Sequence, residues 1–325
     1  MSKPVTAARS LGTLAAAASA VTFSGPEAAH AQGLTPFATP VPHAWSLEGG
    51  FIVSNYSRSA FPNGPSLDKL GADTLTLPDP GRNYGFYGAA SVSKSIDAIY
   101  DWRLTGAFNV FKANQWSSSA SASGGFPVFS ETRTIVERDK FNFLTFDFDV
   151  GRRFDQGDLH LRTFAGLRVL HSEDRLSVVD SFASDTKLGS FSDTTTWTGK
   201  SSFTGVGPRA GLDMFYGSTW GVVGSLSAAA IFGFRNADLN LASPFLTKGS
   251  QANWSQRTTD WVGNISGSLG IATYLTPTTM AVLGYRADGW FNMRDKFDFA
   301  PMDFNRKTDF TTHTFFLRVQ VRQSP

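Results

Sequence analysis

The stretch "DFDVGRRFDQGDLHLRTFAGLRVL", Asp147 to Leu170, decides the fold. Leu144, Phe146, Phe148 and Val150 take alternate places before the polar turn Asp155–Gln156–Gly157–Asp158. Leu159, Leu161, Thr163, Ala165, Leu167 and Val169 do the same after it. The places between hold Asp147, Asp149, Arg153, His160, Arg162 and Arg168. Successive side chains of a strand point to opposite faces, so this is a hairpin with one greasy face and one face of opposite charges. In a soluble protein the greasy face is a core. In a transmembrane barrel it meets lipid and the charges face the lumen.

The rest of the chain repeats the pattern. Ten alternating segments can be read: Ala44–Tyr56, Tyr84–Ser95, Tyr100–Lys112, Phe141–Phe154, Asp158–Ser172, Lys200–Tyr216, Trp220–Arg235, Trp261–Leu275, Thr279–Phe291 and Phe310–Arg322. Each exceeds the 9–11 residues or so that a tilted strand needs to cross a bilayer. The connections alternate strictly in length. Those at Ile96–Ile99, Asp155–Gly157, Gly217–Thr219 and Thr276–Thr278 are short; those at Ser57–Asn83, Ala113–Lys140 and Glu173–Gly199 are long and polar. Short periplasmic turns and long external loops are a property of outer-membrane barrels. The expected fold is therefore all-β: a closed antiparallel up-and-down transmembrane β-barrel of about ten strands, with twelve also compatible.

The faces sort by chemistry. One includes Leu47, Phe51, Phe108, Val206, Leu212, Leu226, Leu269 and Leu317, with no Lys, Arg, Asp or Glu in its middle. A basic residue at the bilayer midplane on that face would cost about 2–4 kcal/mol. The expected lumen-lining set is Glu48, Asp101, Arg103, Asp147, Asp149, Arg162, Arg168, Arg209, Asp213, Arg286, Asp288 and Arg318. A Gln156–Gly157 turn would pair Asp155 with Asp158, set Gly151 opposite Arg162, and bring Asp149 to Arg162 as an ion pair or a shared network, with Asp147 and Arg168 close by. Trp45, Tyr100, Trp102, Tyr216, Trp220 and Tyr274 cluster at the periplasmic ends, where amphipathic rings form a girdle.

Composition narrows the classes. The formal charge is +2, so there is no basic stripe for nucleic acid. Residues 1–31 read as a signal peptide: Lys3 and Arg9, an apolar stretch from Leu11 to Phe23, then Ala29–His30–Ala31. Their removal leaves a charge of +1. Residues 32–42 form a Pro-rich periplasmic lead-in, and 43–325 the barrel. There is no cysteine, hence no disulfide and no thiol for a lipid anchor. His43, His160, His171 and His313 have no metal-ligand spacing, and no glycine motif cradles a phosphate. Neither metal nor cofactor is expected.

The strings "FTGVGPRAGLDMFYGSTWGVVGSLSAAAIFG" (Phe203–Gly233), "DLHLRTFAGLRVL" (Asp158–Leu170) and "MAVLGYRADGWFN" (Met280–Asn292) resemble the major outer-membrane proteins of Legionella and related pore-forming proteins. The resemblance covers about the last 190 residues and implies a barrel that forms pores. It supplies no catalytic residues. Barrels of this kind commonly end on an aromatic residue, whereas this chain ends Arg322–Gln323–Ser324–Pro325. Asp147-x-Asp149 and Asp158-x-His160 superficially resemble the acid pairs of outer-membrane aspartyl proteases, but they lie away from the outer rim where those act.

Two functions remain: a narrow porin passing ions or small solutes, or a structural or surface-interaction barrel with a plugged lumen. Lumen glycines and alanines (Gly85, Ala89, Ala107, Gly151, Gly166, Gly205, Gly207, Gly211) leave space and favour the pore. The partners expected are outer-membrane lipid, the barrel-assembly machinery, and the ions or small solutes. No enzyme activity is expected.

Overall fold

A computed structural model describes residues 44–55, 82–125, 128–186, 189–242, 251–295 and 307–322. The expected signal peptide, the Pro-rich lead-in and His43 lie outside the described residues. Eleven strands follow in order: β1 (Ala44–Asn55), β2 (Arg82–Ser95), β3 (Tyr100–Phe111), β4 (Asn114–Gly125), β5 (Val128–Gln156) and β6 (Leu159–Thr186). Then come β7 (Gly189–Gly217), β8 (Trp220–Ala242), β9 (Gln251–Thr276), β10 (Thr279–Asp295) and β11 (Lys307–Arg322). Neighbours pair antiparallel in chain order. β11 returns to β1, and β3 pairs with β5 past β4. Ten strands therefore close in a ring, as the alternation predicts, and β4 stands outside it.

The short turns explain the register. In the Ile96–Ile99 turn, Asp97 Oδ1 accepts the backbone N–H of Ile99 and of Tyr100, each at 2.7 Å. Those two donors hold the Asp97 carboxyl below its usual range. In the next hairpin Gln156 pairs with Leu159 and Asp155 with His160, so the two-residue turn is Gly157–Asp158. Gly157 has φ +59°. A II′ turn needs positive φ at its first central residue, a place that suits glycine. A Gln156–Gly157 turn would put Gln156 there. This moves the pairing by two residues from the expected one: both faces are kept, but the partners change.

The outward set forms an exposed apolar belt, with Leu269 60% and Leu283 69% accessible. Across β5, β6 and β7 its last wholly apolar row is Phe146, Val169 and Val206, followed by Leu144, His171 and Thr204. Trp45, Tyr100, Tyr216 and Trp220 are exposed near the periplasmic turns. Tyr274 departs from the expected girdle. It shares the parity of Asn264 and Ala272, is partly buried against an inward cluster of Phe215, Met280 and Phe316, and lies under Arg322.

The long connections hold more strand than their polarity suggests. Most of Ala113–Lys140 and of Glu173–Gly199 is paired strand, and β5 alone has 29 residues. At about 3.3 Å per residue it runs about 90 Å along its own length. Beyond the belt the alternation continues inward with Ile135, Leu176, Val178 and Leu239, which form a buried cluster with Ala237. That cluster gives the extension a core of its own.

Face assignment carries a direct test. Leu212→Arg or Leu269→Arg should destabilise the protein by about 2–4 kcal/mol and reduce the heat-modifiable folded band after refolding. Ser227→Arg, which points into the lumen cavity, should be milder. Equal loss at all three positions would mean that the faces are wrong.

Candidate functional site: a charged lumen beneath an aromatic septum

The inward face of β3, β5, β6 and β7 carries an unbroken alternation of guanidinium and carboxylate. Arg153 and Arg162 both hold Asp101 (2.8 and 2.6 Å). Arg162 also reaches Asp213 at 3.2 Å, and Asp213 binds Arg103 at 2.9 Å. Arg103 reaches Asp149 at 3.4 Å; Asp149 in turn binds Arg209 at 2.5 Å. Arg209 lies 3.5 Å from Asp147, which takes two 2.7 Å bonds from Arg168. Arg168 ends the chain on Asn264. The expected direct Asp149–Arg162 pair is therefore absent, because the shifted register sets Arg162 opposite Arg153 and Asp213 rather than near Asp149. The shared network exists, with Asp213 and Arg103 as its links. Asp147 and Arg168 stand directly opposite.

Two smaller groups complete the set on the other wall. Glu48 pairs with Arg318 across β1 and β11 at 2.5 Å. Arg286 binds Asp288 at 2.9 Å and donates to the Tyr87 hydroxyl at 2.7 Å. Phe164 organises the larger network: the guanidiniums of Arg103, Arg162 and Arg209 lie 5.2, 5.2 and 4.7 Å from its ring centroid. The negative ring face helps keep three like charges close. These groups border a cavity of about 280 Å³. Of the expected lumen set, Asp149 and Asp288 are set back in the wall and the others line that space.

Above the network the lumen changes character. Ile52, Tyr87, Phe111, Phe141, Phe143, Leu170, Phe203, Ile231, Val262, Trp290, Met293 and Phe310 pack in one buried cluster. Every strand of the ring contributes at least one of its members. Phe143 meets Trp290 edge-on with centroids 5.0 Å apart; Phe141 and Phe111 meet Phe310 at 5.2 and 5.4 Å. This septum is what the sequence reading missed. Its signal was parity: Phe141 and Phe143 share the odd positions of Asp147 and Asp149, and Leu170 the even ones of Arg162 and Arg168. The lumen glycines do not leave open space either. A Cβ on Gly205 would lie 2.7 Å from the Phe203 ring, on Gly211 2.5 Å from Phe164, and on Gly151 2.4 Å from Arg162. The room they give is already taken by neighbours.

Beyond the septum lies a polar collar, level with outward Lys140, Glu173 and Arg175 and so past the belt. Arg294 binds Asp139 and Asp174 at 2.9 and 2.7 Å. Arg235 binds Asp260 at 2.9 Å, and Lys307 binds Asp295 at 2.6 Å. Burial, helped by nearby Asp139 and Asp295, outweighs the pull of Arg294 and pushes the Asp174 carboxyl up to about 7.

The histidines stand apart. His160 contacts Asp155 at 2.6 Å near the periplasmic turn; His171 and His313 face outward beside Thr204 and Tyr285. Among the described residues no group of three or more His, Asp or Glu is arranged to hold a metal ion. The carboxylates of the Asp147-x-Asp149 pair are each tied to arginine.

A family model for the Legionella pneumophila major outer membrane protein precursor matches residues 101–323. The chain belongs to that family. It is a bacterial outer-membrane protein, and the matched residues run from β3 to the end of β11. No curated protein matches the chain. Among solved structures it is similar to the outer membrane protease OmpT of Escherichia coli, at 10% identity and a TM-score of 0.40, covering 88% of this chain and 98% of that one. It is also similar to Ail, the attachment invasion locus protein of Yersinia pestis (10%, TM-score 0.27, 86% and 98%). A third is the translocator domain of the autotransporter NalP from Neisseria meningitidis (10%, TM-score 0.27, 88% and 89%).

Two measurements probe the lumen charges. Asp149 is wholly buried between Arg103 and Arg209, so Asp149→Ala, which leaves them Asp213 and Asp147, should cost about 1.5–3 kcal/mol; Glu173→Ala, in an exposed pair, should cost under about 1 kcal/mol. Urea unfolding of the refolded protein reads both. The collar carboxyl gives a pH signature. Its folded pKa lies above the usual value of 3.8, so the folded state binds the extra proton between those two values and loses stability as pH rises toward about 7. Unfolding midpoints should thus fall from pH 5 to pH 8, by less in Asp174→Asn.

Proposed function

We propose that this member of the family is a sealed barrel in its resting form: a structural, surface-exposed component of the outer membrane without catalytic activity. The observation that carries the reading is the septum, to which all ten ring strands contribute. An apolar constriction of this kind excludes ions, which would have to shed water without any replacement ligand. The acids that superficially resembled a protease pair are neutralised by arginine, which supports the non-enzymatic part. The paired extensions of β5 to β9 supply rigid surface outside the membrane for recognition.

A gated pore is the second reading. The polar cavity beneath the septum favours it, because paired charges lining a solvated space are what a narrow conduction path needs. Planar-bilayer recording separates the two. The wild type should show no single-channel steps, and Phe143→Ala/Trp290→Ala/Phe310→Ala should create them. Steady conductance by the wild type would overturn the sealed reading. Conductance that switches on under voltage would establish the gate, and Arg162→Ala should then shift selectivity toward cations.

A further inference from the structure

The outer wall just beyond the belt holds a charge arrangement that opposes the strand pairing beneath it. The registers of β5, β6 and β7 set Lys140 directly opposite Arg175, and Arg175 directly opposite Lys200. All three side chains are exposed. Directly opposed residues have Cβ atoms about 4.5–5.5 Å apart, where like charges destabilise the pair. Arg138, at the next outward position of β5, adds a fourth cation and donates to Gln115 at 3.1 Å rather than to an acid. Two acids answer them. Glu173 binds Arg175 at 2.7 Å and Lys200 at 3.4 Å, and Asp238 of β8 stands opposite Lys200. The patch keeps a surplus of positive charge.

Its positive charge and its position past the belt point to the partner. On these strands the apolar row Phe146, Val169, Val206 is followed by Leu144, His171, Thr204, then Asn142, Glu173, Ser202, then the cationic row. Outward rows are about 6.6 Å apart along a strand, or about 5 Å in height at a barrel tilt near 40°. The cationic row thus lies about 15 Å past the last apolar row, and its long stems can reach back toward the headgroups. We propose that Lys140, Arg175 and Lys200, with Arg138, bind a phosphorylated lipid headgroup of the outer leaflet. The guanidinium of Arg175 offers a planar fork to one phosphate, and the flanking ammoniums act as point charges on it or on a second. Glu173 holds Arg175 and Lys200 toward each other, so the site is set before the lipid arrives. The inference rests on the outer-membrane location and is independent of whether the lumen conducts.

The test uses the full chain, refolded in a neutral detergent and titrated with purified lipid A, a diphosphorylated glycolipid, with binding read by native mass spectrometry. Dephosphorylated lipid A and inorganic phosphate are the comparison arms. A cation near an anionic surface contributes roughly a factor of five to affinity, so Lys140→Gln/Arg175→Gln/Lys200→Gln should bind lipid A about 100-fold more weakly at low salt. Lys200→Gln alone should lose about fivefold, which keeps the test valid if the triple variant refolds poorly. Arg152→Gln, an exposed cation near the periplasmic turn stacked over Phe154, should bind as the wild type does. Undiminished binding by the triple and single variants would overturn the proposal. So would wild-type affinity for dephosphorylated lipid A, or for inorganic phosphate, equal to that for lipid A.

Discussion

A strand exposed to hydrocarbon cannot leave its backbone N–H and C=O groups unpaired, because no water is there to satisfy them. The described structure meets that constraint with two closures. β1 pairs with β11 over twelve residues, and β3 passes over β4 to pair with β5. Closure has a second effect. It forces every strand to divide its side chains between lipid and lumen with a period of two, so two solvents are written into each strand. The outer solvent sets a simple demand, which apolar residues meet. The inner one is a space of fixed width that the chain itself must fill.

Filling that space explains why so many arginines are used. A ring of ten strands has a lumen only slightly wider than the one that eight strands close around their own side chains. Long guanidinium side chains cross it and bring charge to where acids on non-adjacent strands can meet it. Arg209 of β7 thus reaches Asp149 of β5, and Arg103 of β3 reaches Asp213 of β7. Burying such charges is costly unless each has partners and its remaining donors are satisfied. The alternation from Arg153 to Arg168 supplies the partners, and Phe164 supplies a face for three of the cations. Small residues on the same inner positions are part of this packing. Gly151 leaves room for the Arg162 guanidinium, which lies where its Cβ would be.

Much of this was legible in the residues. The alternation of Asp147 to Leu170 carried the fold, the ring of ten strands and the division of faces. It also carried the presence of a shared network linking Asp149 to Arg162. What it did not carry was which arginine meets which acid. That depends on one turn: the positive φ of Gly157 shifted the hairpin by two residues, and local spacing cannot choose between turns that preserve both faces. The septum was within reach of the sequence. Phe141, Phe143 and Leu170 have lumen parity, but weighing glycines as empty space hid the fact that a neighbouring ring, guanidinium or backbone can lie over them. The extension of β5 to β9 was obscured for another reason. Serine and threonine look like loop, yet with Ile135, Leu176 and Val178 on alternate places they make an ordinary two-faced sheet.

The septum also divides the lumen electrically. Below it sit the arginine network and the cavity; above it sit Arg294, Arg235, Lys307 and their acids. A layer of phenylalanine and tryptophan rings has a low dielectric constant and screens charge poorly. The charges of each chamber are paired within it, Arg294 with Asp139 and Asp174 above and Arg168 with Asp147 below. On the sealed reading proposed above, a voltage imposed across this wall would fall mainly over the aromatic side chains, and the barrel would behave less as a tube than as a capacitor with a polar plate on each side.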